Sequence, residues 1–295
     1  MSQFTNPLAT PEQLYRRSTF SSLPTDLQEV IFFATQCLTQ AAGLLLELPQ
    51  AVTAQANVLI ARYWLIDSPM LHEYSDVSAA AIYIVSKMGP MPRSPRDVLT
   101  VYAYLLSSSS SFFRPTTKPD PRTFYQTDTE QYAFQQRMLE IEARISYSLA
   151  YDFRVALPHP LAITYLQTLD FAGVEKEEIS RRTTQYLNTA LLSPQMLYVT
   201  HQPHALAAAA IYLTAREGGA KLPTNAWWEV FDVDREELGF LVVAMKSLNG
   251  WMSQRKDELP ALMGENGMLT LEDVYAELRK RGLMEEDKGK QPAGK

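Results

Sequence analysis

An internal repeat limits what this chain can fold into more than any other feature does. The segment Ser78-Ala-Ala-Ala-Ile-Tyr-Ile-Val-Ser-Lys-Met-Gly89 returns 129 positions later as Ala207-Ala-Ala-Ala-Ile-Tyr-Leu-Thr-Ala-Arg-Glu-Gly218. Ala81-Ile82-Tyr83 falls on Ala210-Ile211-Tyr212, Lys87 on Arg216 and Gly89 on Gly218. The register holds further on, where Val101-Tyr102 lies opposite Val230-Phe231. A long-period repeat fixes architecture before any single motif does. Here it predicts two related units of roughly 100–130 residues. Each is built round one alanine-rich helix, because alanine combines high helix propensity with a small radius. Polar residues gather at the ends of both segments, as expected of helices buried round most of their circumference.

The rest of the sequence reads as helix throughout, with no convincing strand. Residues 1–22 are polar with little periodicity and read as irregular. Thr25-Asp-Leu-Gln28 reads as a capping box, followed by Leu27, Val30, Ile31, Ala34 and Leu38 at helical spacing to about Leu46. Pro49 opens a second helix to about Ile66. Ser75 or Asp76 caps the first alanine-rich helix, and Gly89-Pro90 ends it. Ser94-Pro-Arg-Asp97 is a capping box with Pro at the favoured first position, opening a fourth helix to about Leu106. Residues 107–121 are rich in Ser, Pro and Thr and read as a flexible surface loop. A fifth helix spans about Thr129 to Ala150.

The second unit repeats the plan. Helices are expected from Pro160 to Leu169, Lys176 to Leu192, Gln202-Pro203 to Gly218, briefly after Thr224, and from Asp234 to about Trp251. Thr270-Leu-Glu-Asp273 caps a final amphipathic helix to Arg281, and the charged residues 284–295 read as disordered. The expected fold class is therefore all-α, two tandem five-helix bundles. The domains read as an irregular segment 1–22, a first unit 23–152, a second unit 153–258 and a tail 259–295.

Composition bounds the function. The single cysteine, Cys37, excludes an intrachain disulfide and fits a reducing compartment. Net charge is -6, with an isoelectric point near 5.4, which argues against nucleic-acid binding through bulk charge. No apolar run reaches the ~18–20 residues of a spanning helix, and the first residues lack a signal-peptide pattern. Neither a GxGxxG nor a Walker loop is present. His201 and His204 stand three apart with Pro203 between them and read as a helix-start loop rather than a metal pair. No catalytic, cofactor or metal site is expected. On pattern alone Lys87 is a solvated helix-end cation and Glu142 an exposed charge among Arg137, Glu140 and Arg144.

Several motifs in order carry a family likeness. Gly43-Leu-Leu-Leu-Glu-Leu-Pro-Gln50 stands before the second helix and Pro92-Arg-Ser-Pro-Arg-Asp-Val98 before the fourth. Leu157-Pro-His-Pro160, Tyr165-Leu-Gln-Thr-Leu169, Ala210-Ile-Tyr-Leu-Thr-Ala-Arg216 and Leu222-Pro-Thr224 with Trp228 mark the second unit. Over about residues 23–252 the chain resembles the cyclin family, most of all the transcriptional cyclin L type. Cyclin C, H, K and T types are the other assignments.

The resemblance implies a regulatory subunit, not an enzyme. It would bind and activate a cyclin-dependent serine/threonine kinase as a heterodimer, in RNA polymerase II transcription or RNA processing. It implies a transcriptional kinase partner, with a PITSLRE-like kinase as one form, and a nuclear or also cytoplasmic location. No direct contact with nucleic acid or membrane is implied. By position in the family pattern, Lys87 in Ser86-Lys87 and Glu142 in Leu139-Glu-Ile-Glu-Ala-Arg144 are kinase-binding residues. Ile84, Met88 and Phe153 fall on apolar contact positions. Many cyclins carry acidic residues after that lysine; here Met88-Gly89-Pro90 follows. The substrate-docking motif of cell-cycle cyclins is not evident in the first helix. The chain also lacks the arginine/serine-rich tail of animal cyclin L, which fits a fungal type. The alternative reading is a transcription-factor-IIB-like binding module without a kinase, disfavoured by the acidic charge and the single cysteine.

Overall fold

The computed structural model describes residues 5–19, 23–112, 117–171, 177–263 and 268–284. Among them lie thirteen α-helices, two short 3-10 turns and no strand. Helix α1 is Pro11–Thr19, α2 Thr25–Leu45, α3 Gln50–Tyr63, α4 Tyr74–Met88, α5 Pro95–Leu106 and α6 Asp128–Ser148. They are followed by α7 Pro158–Thr168, α8 Glu177–Leu191, α9 Leu197–Thr200, α10 Pro203–Glu217 and α11 Arg235–Glu258. Two further helices, α12 Pro260–Met263 and α13 Leu271–Lys280, come after these.

The alanine-rich helices are the hubs that the repeat predicts. α4 packs against α2, α3, α5 and α6, and α10 against α7, α8 and α11. Ala79, Ala80 and Ala81 of α4 have no exposed surface, nor have Ala207 to Ala210 of α10. Ile82 and Ile211, which are equivalent in the repeat, are equally buried. Small side chains on several faces let neighbouring helices approach a central one closely. Gly89 and Gly218 terminate the two hubs at the same relative position. The fourth helix of the second unit is reduced to a 3-10 turn, Trp227–Phe231, which still places Phe231 in the core opposite the buried Tyr102 of the repeat.

One glycine is required by packing. A Cβ on Gly43 in α2 would come within 2.9 Å of Thr53 Cβ in α3, and closer still to the other Thr53 side-chain atoms. Thr53 is buried and has no room to yield. Gly43→Ala therefore lowers stability by about 1–3 kcal/mol, the usual range for overpacking a core. Chemical denaturation of wild type and variant checks this, and an unchanged midpoint would refute the tight α2–α3 contact.

Helix boundaries follow the local signals in part. The box at Ser94 forms as expected, with Asp97 N–H donating to Ser94 Oγ (3.2 Å) and Ser94 N–H to Asp97 Oδ2 (3.1 Å). Thr270 and Asp273 form the same box at α13. Thr25-Asp-Leu-Gln28 does not. Pro24 is the N-cap, and Gln28 Nε2 instead donates to Leu23 O (2.7 Å) and Arg17 O (3.0 Å). Nor do Ser75 or Asp76 cap α4; Glu73 is the N-cap, and Asp76 is drawn to Arg137 of α6.

Residues 1–22 are not wholly irregular either. α1 begins at a reciprocal pair in which Gln13 N–H donates to Thr10 Oγ1 (3.2 Å) and Thr10 N–H to Gln13 Oε1 (2.9 Å). The serines of 107–111 are not simply a flexible surface. Ser107, Ser109 and Ser110 are buried, and Ser109 Oγ accepts from Asp120 N–H (3.1 Å) and donates to Asp120 O (3.3 Å).

The two halves meet along a polar seam. Gln55 Nε2 of α3 donates to Phe153 O (2.6 Å), and the buried Arg62 donates to Arg154 O (2.8 Å). Asn6 bridges the same strip, donating to Ala156 O (2.8 Å) and accepting from Ala156 N–H (2.8 Å) and Arg62 Nη2 (3.2 Å). Buried main-chain groups in an irregular linker need such partners. Further along, Asn188 Oδ1 of α8 accepts from Gln50 Nε2 (3.1 Å) and lies 2.9 Å from His159 Nε2.

α11 runs seven residues beyond Trp251, because its end docks on the first half. Trp251 Nε1 (2.8 Å) and Arg255 Nη2 (2.9 Å) both donate to Glu29 Oε2 of α2. α13 also returns to that half. Its Val274 is fully buried, and Arg281 joins Asp26 of α2 (2.8 Å) to Glu277 (2.9 Å). Burial raises the Asp26 carboxyl, but the Arg281 guanidinium, by hydrogen bond and charge, outweighs it and holds the group below its ordinary value. A carboxyl held down in the folded state stabilises above its unfolded pKa, about 3.9, and loses that contribution as pH falls through the folded value. Wild type is therefore more stable than Asp26→Asn at neutral pH, and the difference closes in acid. Thermal melts from pH 7 to pH 3 read the gap, and a gap that widened in acid would contradict the pairing.

Candidate functional site

The C-terminal end of α4 meets α6 at one exposed junction. Lys87 Nζ, on the last turn of α4, is paired with Glu142 Oε1 from the middle of α6. Its ammonium also lies 5.2 Å from the centre of the Tyr83 ring. The lysine side chain is 41% exposed and the glutamate 15%. Each keeps unused capacity in this arrangement, since an ammonium has three donors and a carboxylate two acceptor oxygens. The junction is thus a preformed, two-sided polar spot that can take a further partner.

Two other ion pairs fix α6 on the first bundle. Arg137 Nε donates to Asp76 Oδ2 (2.9 Å), and Arg144 Nε to Asp67 Oδ2 (2.8 Å). Burial pushes the Asp76 carboxyl above its ordinary value, against the opposing pull of Arg137. For Asp67 burial acts in the same direction, but Arg144 prevails and its carboxyl stays below the ordinary value. Neither pair lies at the end of α4, so the Lys87–Glu142 junction is not the only fastener of α6.

Exposed apolar residues follow the junction along both of its helices. Met88 is 50% exposed and Met91 is also exposed. Where α6 ends, Ala150 and Tyr151 both adopt left-handed backbone conformations, with φ of 49° and 59°. Non-glycine residues there cost conformational energy, and such sites cluster where a chain presents function. The turn exposes Tyr151 and leads to Phe153, whose ring meets that of Tyr151 edge-on with centroids 6.3 Å apart. Phe153 is half-buried, and its carbonyl is held by Gln55.

Of the five residues expected to bind a kinase, Lys87 and Glu142 come together, and Met88 and Phe153 present accessible apolar surface. Ile84 does not: it is fully buried in the core and offers no surface of its own. The α4 residues one turn apart thus divide, with Ile84 facing inward and Met88 outward. Tyr147 and Tyr151, at 81% and 70% exposed, were absent from the sequence-based set. Helical spacing shows which face of α6 is buried, but not that its other face ends in bare aromatic rings.

The remaining candidates stay apart from this site. His201 Nδ1 lies 2.9 Å from Thr200 Oγ1, and its ring stacks on Phe240. Among the described residues no group of three or more His, Cys, Asp or Glu side chains could hold a metal ion. No described helix is long and apolar enough to cross a membrane. Burial pushes the Cys37 thiol up to about 12, which leaves it unreactive at neutral pH.

Comparison with known proteins places this chain in a family. An uncharacterized cyclin-L1-like protein of Schizosaccharomyces pombe is 31% identical over 211 residues, which is 70% of this chain and 78% of that protein. The chain belongs to the cyclin family, in its cyclin L branch. Human cyclin-L2 is 29% identical over 265 residues, covering 90% of this chain and 48% of the human protein. Cyclin-L1 of Gallus gallus is 29% identical over 252 residues and matched over 44% of its length. The chain thus spans about half the length of these vertebrate cyclins. No family model matches it.

Solved structures agree on the fold of this cyclin. A chain of the yeast RNA polymerase II CTD kinase complex CTDK-1 superposes with a TM-score of 0.60 at 16% identity, over 98% of this chain and 87% of that one. A chain of the CAK complex of Chaetomium thermophilum bound to ATP-gamma-S gives 0.54 at 14% identity, over 91% and 82%.

Proposed function

We propose that this cyclin is the regulatory subunit of a cyclin-dependent serine/threonine kinase that acts in RNA polymerase II transcription or RNA processing. The observation that carries the reading is the Lys87–Glu142 junction at the meeting of α4 and α6, in a chain of the cyclin L branch. The partner is a kinase of transcriptional type, with a PITSLRE-like kinase as the form the cyclin L likeness favours. The place of action is the nucleus. The two solved relatives are chains of kinase complexes, one acting on the RNA polymerase II CTD.

The mechanism is positional. An active kinase needs its strand-three Lys paired with the Glu of its mobile regulatory helix, and an ordered activation loop. The cyclin adds no reacting atom. It binds the active arrangement more tightly and shifts the population toward it. Moving that equilibrium from 1:99 to 99:1 takes about 5.5 kcal/mol of differential binding. Met88, Phe153, Tyr147 and Tyr151 supply apolar anchors of the kind that dominate interface energies. Lys87 and Glu142 fix register, and Ile84 keeps the last turn of α4 rigid beneath them. The units 23–152 and 153–258 are proposed as the two cyclin boxes.

A tagged pull-down with mass spectrometry tests the reading. The expected result is one protein kinase in near-stoichiometric amount, with phosphotransfer activity absent from the cyclin alone. Recovery of DNA or polymerase without a kinase would replace it with the general-factor alternative.

A further inference from the structure

The second unit carries its own counterpart of the Lys87 junction, and it is open. α10 ends in Arg216-Glu217, the repeat equivalents of Lys87-Met88. Glu217 pairs with Lys246 of α11 (3.4 Å) and accepts a hydrogen bond from Tyr186 OH of α8 (2.6 Å). Each unit thus ties the end of its hub to its last long helix by one ion pair. In the second unit a groove of about 600 Å³ opens beside that pair, between α10 and α11. Its floor and wall are Leu213, Val242 and Val243, with Val243 69% exposed. Phe240 continues the apolar strip one turn earlier on α11 and is also exposed.

Charge decides what such a groove accepts. A second groove of about 660 Å³ adjoins it, sharing Glu217 and Lys246 and adding Arg181, Arg182 and Glu178. Glu178 is shared by Arg181 and Arg182, and Glu217 is matched by Lys246. Arg216 is exposed and has no acidic partner among the described residues. The two grooves together present four cations against two carboxylates, a local excess of positive charge on a chain whose net charge is -6. An apolar trough with cations in excess of carboxylates at its edge, Arg216 unpaired among them, complements a peptide that joins apolar anchors to acidic residues.

We infer that the α10–α11 groove is a docking site for a short acidic, apolar-anchored segment of a partner protein. The apolar side chains seat against Leu213, Val242 and Val243, and the carboxylates face Arg216 and the Arg181–Arg182 pair. The site lies on the second unit, apart from the α4–α6 junction, and does not depend on the kinase reading. A bound segment would add a substrate or accessory-protein contact to whatever the first unit holds.

The experiment uses the full chain without kinase. The probe is a fluorescein-labelled twelve-residue peptide with two leucines one helical turn apart among four aspartates. Its control has lysines in place of the aspartates. The expected result is saturable anisotropy with the acidic peptide alone, weakening as salt rises from 50 to 300 mM. Arg216→Glu and Val243→Asp each weaken binding at least tenfold, while Lys87→Glu leaves it unchanged. All three positions are accessible to solvent, so circular dichroism should show wild-type helix content. Failure of the wild type to bind the acidic peptide, equal binding of the lysine peptide, or undiminished binding by both groove variants would overturn the inference.

Discussion

Lys87→Glu and Glu142→Lys each weaken kinase binding about 10- to 100-fold, which is about 1.4–2.8 kcal/mol, and the double exchange does not restore it. The two side chains are paired with each other in the free chain, so a single reversal sets like charges together at the α4–α6 junction. The cost to folding is small, because a pair this exposed contributes roughly 0–1 kcal/mol, and Arg137–Asp76 and Arg144–Asp67 still fasten α6. The cost to binding is larger, because a partner covering the junction meets reversed charges that it must desolvate. The double exchange separates the two effects. It rebuilds the intramolecular pair, so it recovers any loss that was only internal. It leaves both charges reversed toward a partner. Pull-down and titration of kinase against the four proteins read the difference. Full recovery in the double variant would mean that the pair serves the cyclin's own fold and not the kinase.

Ala80→Leu and its repeat equivalent Ala209→Leu each lower stability by about 1–3 kcal/mol or more. Both alanines are wholly buried, on helices enclosed by three or four neighbours. Three added carbon atoms must displace packed helices or adopt strained rotamers. At about 2–4 °C per kcal/mol for domains of this size, the melting point falls by roughly 2–12 °C. Ser253→Leu, on the exposed side of α11, serves as control and changes stability by about 0.5 kcal/mol or less. If Ala80→Leu melted with wild type, α4 could not be the enclosed hub. A matching loss at both positions is the energetic signature of the repeat. A loss at one alone would show that the units have diverged in packing while keeping their sequence.

Where the fold was legible, the signals were local and dense. Two alanine runs with the same Ile-Tyr core and the same cation-x-Gly ending mark both hubs before any contact is known. Ser94-Pro-Arg-Asp97 and Thr270-Leu-Glu-Asp273 cap their helices because nothing distant competes for those side chains. Thr10-Pro-Glu-Gln13 is the same kind of signal, and the polar, weakly periodic residues around it masked the helix that it starts. Gln28 and Asp76 show the opposite case. Each has the residue type and spacing for a local role, yet Gln28 satisfies carbonyls at Arg17 and Leu23, and Asp76 meets Arg137, sixty-one residues away. A partner outside the helix wins where burial makes an unpaired polar group costly.

The candidate site was legible only through family likeness. Pattern alone reads Lys87 and Glu142 as solvated charges, and nothing in their spacing says that they meet. The exposed rings of Tyr147 and Tyr151 and the inward turn of Ile84 depend on how α6 rotates on α4. The extension of α11 past Trp251 depends on Glu29, which stands more than two hundred residues earlier.

The sequence by itself determined that this protein is all-helical, duplicated and centred on two alanine-rich helices, because helix propensity, period and caps act over a few residues. Tertiary structure alone decided which polar groups pair, which apolar residues remain bare and how the halves lock through Asn6, Arg62 and Arg255. Those outcomes depend on the competition between distant groups for the same buried donors and acceptors, and that competition has no local trace.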